Sequence, residues 1–154
     1  MCGRSNGKKK NKMSENQKLE SKYGNSLKLK RPEVVNAKVY KIKSPFVKFK
    51  IYVTLSYVME AGKKRLIEMF INSKDLTHAA EYIVLTRLIS AIFRRANDPH
   101  FILEELRSAY DPNGGFFKNG KYVQSFYSEI ADVIEKFLKE NDEWNIQKII
   151  DTKQ

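Results

Sequence analysis

The stretch AYDPNGGFFKNGKY, residues 109–122, gathers most of the residue types in this chain that point to ligand chemistry. Asp111, Pro112, Asn113, Gly114 and Gly115 form one cluster of turn formers and Asn119 and Gly120 a second. Phe116, Phe117 and Lys118 stand between them, with Lys121 just beyond. Consecutive glycines can present successive backbone N–H groups to an anion as a nest, although they more often serve only to permit positive φ. The expected site is an anion cradle in which the backbone around Asn113, Gly114 and Gly115 acts with Lys118 and Lys121, while Phe116 and Phe117 anchor the loop. A helix start at Ser125 follows and adds its positive end. Arg87 and Arg94 share a polar helical stripe with Ser90 at i, i+3, i+7, and Arg95 adjoins it. Guanidinium suits bidentate phosphate contact, and these arginines are expected to complete the site, from the same chain or from a second subunit. Their plainer role is to offset the negative end of a helix.

Catalysis has no comparable support. Neither a G-x-S-x-G elbow, a Walker loop, a Rossmann fingerprint nor an H-E-x-x-H pair occurs. His78 and His100 have no partner in sequence and read as surface positions near helix starts. Glu104 and Glu105 are adjacent, so they do not face each other on a helix. A single cysteine, Cys2, permits neither an internal disulfide nor a Cys/His metal spacing. No catalytic residue, no metal ligand and no covalently bound cofactor is expected.

The elements that must position the loop are readable from periodicity. Val39 to Lys43 forms a short strand between Pro32 and Pro45. In FVKFKIYVTLSYVME, Phe49, Ile51, Val53, Leu55 and Tyr57 alternate with polar or solvent-facing residues, which specifies a half-buried strand. A turn at Gly62 returns the chain through RLIEMFI as the second arm of a hairpin. Asn72, Ser73 and Asp75 then cap a long helix whose apolar positions include Ala80, Ile83, Val84, Leu88, Ala91 and Ile92, widened by Leu76, Leu85, Ile89 and Phe93. Asp98-Pro99 opens a short helix. Beyond the glycine loop a third helix turns Phe126, Ile130, Val133, Ile134 and Phe137 inward, and DEWNIQKIID suggests a short final one. Strands first and helices after specify an α+β fold: a small antiparallel sheet, hairpin plus one added strand, covered on one face by three to four helices.

Charge divides the chain. The 154 residues carry a formal +11, and residues 1–30 hold nine Lys/Arg against two Glu, which is +7 of that total. That segment has few apolar residues to offset its ordering entropy, so residues 1–28 are expected to be a basic disordered tail that can contact phosphate backbones. Residues 29–140 then form the α+β domain and 141–154 a short helix and tail. No membrane span and no signal-peptide-like apolar segment is expected, which favours a cytoplasmic protein in a bacterial host cell.

Four runs carry a family resemblance: LKRPEVVNAKVYKIK, EMFINSKDLTHAAEYIVLTRLISAIFRR, ILEELRSAYDPNGGFFKNGKYVQS and EIADVIEKFL. From Leu29 to about Leu138 the chain resembles the C-terminal, TSCPD-type domain of adenosylcobalamin-dependent (class II) ribonucleotide reductases. Such reductases work through a cysteine thiyl radical and a redox-active cysteine pair. With Cys2 alone, adenosylcobalamin chemistry is not expected of this chain. What the resemblance implies is an accessory fold with an affinity for nucleotides or for a ribonucleotide reductase chain.

The expected function is therefore a non-catalytic nucleotide-binding accessory module, with a homo-oligomer as the expected state. One alternative is a phage-type protein that sequesters a nucleotide or cyclic oligonucleotide immune signal. Another is a nucleic-acid binder that uses the basic tail, with Tyr52 and the lysines of the second strand as a stacking surface.

Overall fold

A computed structural model describes residues 29–153, the side chains of residues 143–149 and 151–152 aside. The expected basic tail, including Cys2, lies outside the described residues. Three antiparallel strands form the main sheet in the order β1 (Asn36–Ile42), β2 (Ile51–Glu60) and β3 (Lys63–Ser73). The alternation in β2 does what its pattern predicts: Ile51, Val53 and Leu55 are fully buried, while Tyr52 faces solvent. Ala61 and Gly62 join β2 to β3 with both φ values positive (50° and 77°), the signature of a two-residue hairpin turn.

The strict alternation fails in β3. Ser56 pairs with Glu68 and Tyr57 with Leu66, so Ile67 has no residue opposite it and forms a bulge. The extra residue shifts the inward parity from Met69 and Ile71 to Leu66, which lets all three enter the core.

β3 is an edge strand, and its free edge is closed by side chains from two helices. Ser90 of α1 (Ala79–Arg95) accepts from the Met69 N–H at 3.0 Å and donates to the Met69 carbonyl at 3.1 Å. Arg94 Nε donates to the Ile67 carbonyl at 3.2 Å. Asn141 of α3 (Phe126–Thr152) accepts from the Lys64 N–H at 3.2 Å and donates to the Lys64 carbonyl at 3.0 Å. Backbone groups that would otherwise template another strand are thereby satisfied.

This attachment rotates α1 away from the face its periodicity suggests. Tyr82, Ile89, Ser90 and Phe93 are buried, whereas Ile83, Val84 and Leu88 are 60%, 55% and 60% exposed. The polar stripe of Ser90 and Arg94 lies against the strand, so the apolar residues beyond it turn to solvent. Under the sheet, α3 supplies Ile130, Ile134 and Phe137 to the core. The Phe137 ring lies 5.5 Å from that of Tyr57. α2 (Phe101–Ser108) packs on α3 through Arg107, which donates to Asp132 at 2.9 Å and Glu135 at 2.8 Å. Residues 126–152 contain neither Gly nor Pro, and the expected short final helix is the continuation of α3 across residue 141.

The start of α1 is held by Asp75, which is buried. Its carboxylate meets His78 Nδ1 at 2.6 Å and accepts from the Tyr82 hydroxyl at 3.0 Å and the Thr77 N–H at 3.0 Å. His78, expected simply at the surface, is tied into this network although its side chain is 44% exposed.

Removing the Ser90 hydroxyl leaves a buried N–H without a partner, so Ser90→Ala should destabilise the fold by about 1–3 kcal/mol. Arg87→Ala, on the exposed side of α1, should change stability by less than about 0.5 kcal/mol. Urea denaturation of both variants checks this; equal midpoints would mean the edge does not depend on Ser90. The hydrogen bond from His78, then those from Tyr82 and Thr77, hold the Asp75 pKa below its ordinary 3.8 against the opposing effect of burial. A depressed carboxylate stabilises the fold above that ordinary value, and the contribution fades as pH falls through the lower folded-state value. Wild type should therefore lose more stability than Asp75→Asn between pH 5 and the acid limit of folding, as read from denaturant midpoints at each pH; parallel profiles would dismiss the network.

Candidate functional site

The glycine loop resolves into a corner and a small hairpin. The Asn113 N–H donates to the Asp111 carboxylate at 2.8 Å, the Gly114 N–H to the Asp111 carbonyl at 2.9 Å, and the Gly115 N–H to the Tyr122 hydroxyl at 3.0 Å. All three donors expected to face an anion are thus taken up inside the loop. Gly115 is required for a different reason: a Cβ there would lie 2.1 Å from the Val123 carbonyl oxygen. Asn113, Gly114 and Gly115 shape the turn, and the backbone cradle expected of them is replaced by these internal bonds.

What the corner delivers is β4 (Phe116–Lys118) paired with β5 (Lys121–Val123). Asn119 and Gly120 join them with φ values of 51° and 74°, a turn that Asn-Gly adopts with little strain. Phe116 anchors the hairpin against Phe46, ring centroids 5.1 Å apart, while Phe117 is exposed and meets Tyr122 with the rings tilted by 60° and 5.2 Å apart. Lys118 and Lys121 face each other across the turn.

Both lysines line a cleft of about 610 Å³ between the free edge of β1, the hairpin and α3. Lys136 enters it from α3, while Lys41 and Lys43 border it along the β1 edge, Lys41 lying on the sheet face it shares with its partner Tyr52. Three lysines, Lys118, Lys121 and Lys136, therefore converge there beside two carboxylates, Glu129 and Asp132, with Lys41 and Lys43 at the border. Asp132 accepts from Arg107 and lies 3.7 Å from Lys121 Nζ, while Lys136 Nζ sits 5.8 Å from the centre of the Tyr40 ring. Burial, followed by the charge of Glu140, pushes the Tyr40 hydroxyl up to about 12, so it stays protonated at neutral pH.

Glu129 is the unusual member. It is 5% exposed, and neither carboxylate oxygen has a hydrogen-bond partner. Burial raises its pKa above the ordinary carboxylate value; Ser44 and then Lys118 pull the other way. Ser44 stands beside it short of ordinary hydrogen-bond geometry, its oxygen accepting from the Phe46 N–H at 3.2 Å and its own O–H free to turn toward the carboxylate.

The three expected arginines do not join this cleft. Arg94 is held by Ile67 and by Glu68, the latter at 3.3 Å, in support of the β3 edge. Arg87 and Arg95 are exposed on α1. Sequence reasoning missed Lys41, Lys43, Lys136 and Glu129. Glu129 carried a signal, since it falls three residues after Phe126 and four before Val133 on the inward stripe of α3. The lysines carried none, because only the fold brings them to one place. Among the described residues, no three His, Cys, Asp or Glu side chains cluster as a metal ion would need, and no helix is long and apolar enough to cross a membrane. Compared with known proteins, the chain matches no protein-family model, no curated protein and no solved structure.

Proposed function

We propose that this chain is a non-catalytic nucleotide-binding domain whose ligand occupies the cleft between β1, the β4–β5 hairpin and α3. The observation that carries the reading is the convergence of Lys118, Lys121 and Lys136 from the hairpin and α3 on one concavity of about 610 Å³, with Lys41 and Lys43 along its β1 border. That volume falls in the range of small-molecule sites, and the excess of positive charge suits several phosphates. The resemblance to the reductase accessory domain agrees with it. Docking on a reductase chain, or sequestration of a signalling nucleotide, are two settings for the same binding event. Reductase radical chemistry needs a thiyl cysteine and a redox pair, and a chain with Cys2 alone does not fit adenosylcobalamin as a working cofactor.

The test is calorimetric titration with nucleoside di- and triphosphates and cyclic oligonucleotides. A desolvated charge-assisted contact contributes about 1.5–3 kcal/mol. Lys118 and Lys121 are exposed, so the lower end applies to each. The double variant Lys118→Ala/Lys121→Ala should lose at least about tenfold in affinity. Identical affinity in wild type and variant would remove the cleft from consideration.

A second reading rests on the opposite side of the sheet. Lys48, Lys50 and Lys74 surround Phe49 and Tyr52 in a concavity of about 510 Å³, and both aromatic rings are about 40% exposed (40% and 41%). Lysines for a backbone and rings for stacking suit single-stranded nucleic acid. Tyr52→Ala should then weaken binding to a single-stranded oligonucleotide severalfold while leaving nucleotide affinity at the lysine cleft intact, as measured by fluorescence anisotropy. An unchanged oligonucleotide affinity would dispose of this second surface.

A further inference from the structure

The nucleotide reading leaves Glu129 unexplained. A carboxylate among lysines weakens phosphate binding, and a buried carboxylate without donors is costly to keep. It lines the lysine cleft, and both oxygens are buried without a partner of ordinary geometry. Glu129 lies in the first turn of α3, where the positive end of the helix favours the ionised form. Lys118 adds a second positive influence.

An ionised carboxylate accepts at both oxygens and donates at neither. Satisfying both at once takes a ligand that presents two parallel N–H donors. Guanidinium and amidinium groups do so but are cations, which the lysines of the cleft repel. Among the nucleobases, guanine offers this fork on a neutral ring, through N1–H and the N2 amino group. Adenine and cytosine set an acceptor beside their amino group, and uracil flanks its one N–H with carbonyls. Each of these would bring a lone pair against a carboxylate oxygen.

We infer that the cleft selects guanine nucleotides, with Glu129 accepting from N1–H and N2–H of the base while the lysines receive the phosphates. The inference rests on the nucleotide-binding reading above and deepens it. The free chain keeps the Glu129 oxygens out of solvent. Lys118, exposed beside the hairpin turn, is the cation whose charge acts on them.

Titration of the full chain with GTP, ATP, CTP and UTP tests the inference, with thermal melts confirming that each variant is folded. Wild type should bind GTP at least about tenfold more tightly than the other three, the discrimination expected of one bidentate base contact. Glu129→Gln replaces one acceptor with a donor and removes the charge. It should lose most of the preference for GTP and gain affinity for ATP, whose N6–H and N1 match a side-chain amide. Equal affinity of wild type for all four nucleotides, or a GTP preference that survives Glu129→Gln, would overturn guanine selection while leaving nucleotide binding in place. Failure of all four to bind would remove both readings together.

Discussion

The constraint on which the rest depends is the free edge of β3. A sheet of three strands has two edges, and each exposes a row of backbone donors and acceptors. Here one edge is sealed. Ser90, Arg94 and Asn141 reach it from α1 and α3 and satisfy backbone groups of Met69, Ile67 and Lys64. Fixing α1 along that edge also determines which of its faces enters the core. The opposite edge, β1, is left facing α3 and the hairpin across an open cleft. Sealing one side and leaving the other accessible gives the molecule a polarity that a helix laid symmetrically over the sheet would not have.

The same logic explains the glycine loop. A corner between α2 and α3 has to bring Gly115 against the Val123 carbonyl, too close for any side chain. Asp111 and Tyr122 then consume the loop's N–H groups. A loop whose donors satisfy itself holds its shape without a ligand, and this rigidity is what lets a three-residue strand carry Lys118 to the rim of the cleft. The loop thus contributes geometry, and the charge comes from side chains on either side of the hairpin turn.

How much of this the sequence disclosed depended on whether a feature is local. The alternation of Ile51, Val53 and Leu55 is a property of consecutive residues, and it located β2 correctly. The bulge at Ile67 is a property of two strands together, so an apolar run such as RLIEMFI conceals which residues point inward. Ser90 and Arg94 look like a solvated stripe on a helical wheel because periodicity weighs polarity, while an unpaired strand edge welcomes polar side chains. Attachment of that stripe to the strand edge is what turns Ile83, Val84 and Leu88 to solvent. The α+β order of elements survived these local errors, because the layer arrangement depends on element type more than on orientation.

Glu129 shows where local and long-range information meet. Its spacing from Phe126 and Val133 places it on the inward stripe of α3, among residues that would each stabilise the fold if apolar. Beyond the Ser44 hydroxyl, which stands beside it short of ordinary hydrogen-bond geometry, the fold supplies no donor to either oxygen. An apolar residue of similar length would fill the position at less cost, since a buried acceptor without a partner opposes folding. Asp75 makes the contrast plain: equally hidden, it meets a histidine ring, a hydroxyl and a backbone N–H. One buried carboxylate is bound on all sides by its own chain and works as a structural clasp. The other is unbound and borders the cleft where the lysines converge, which is where an incoming ligand would supply the missing donors.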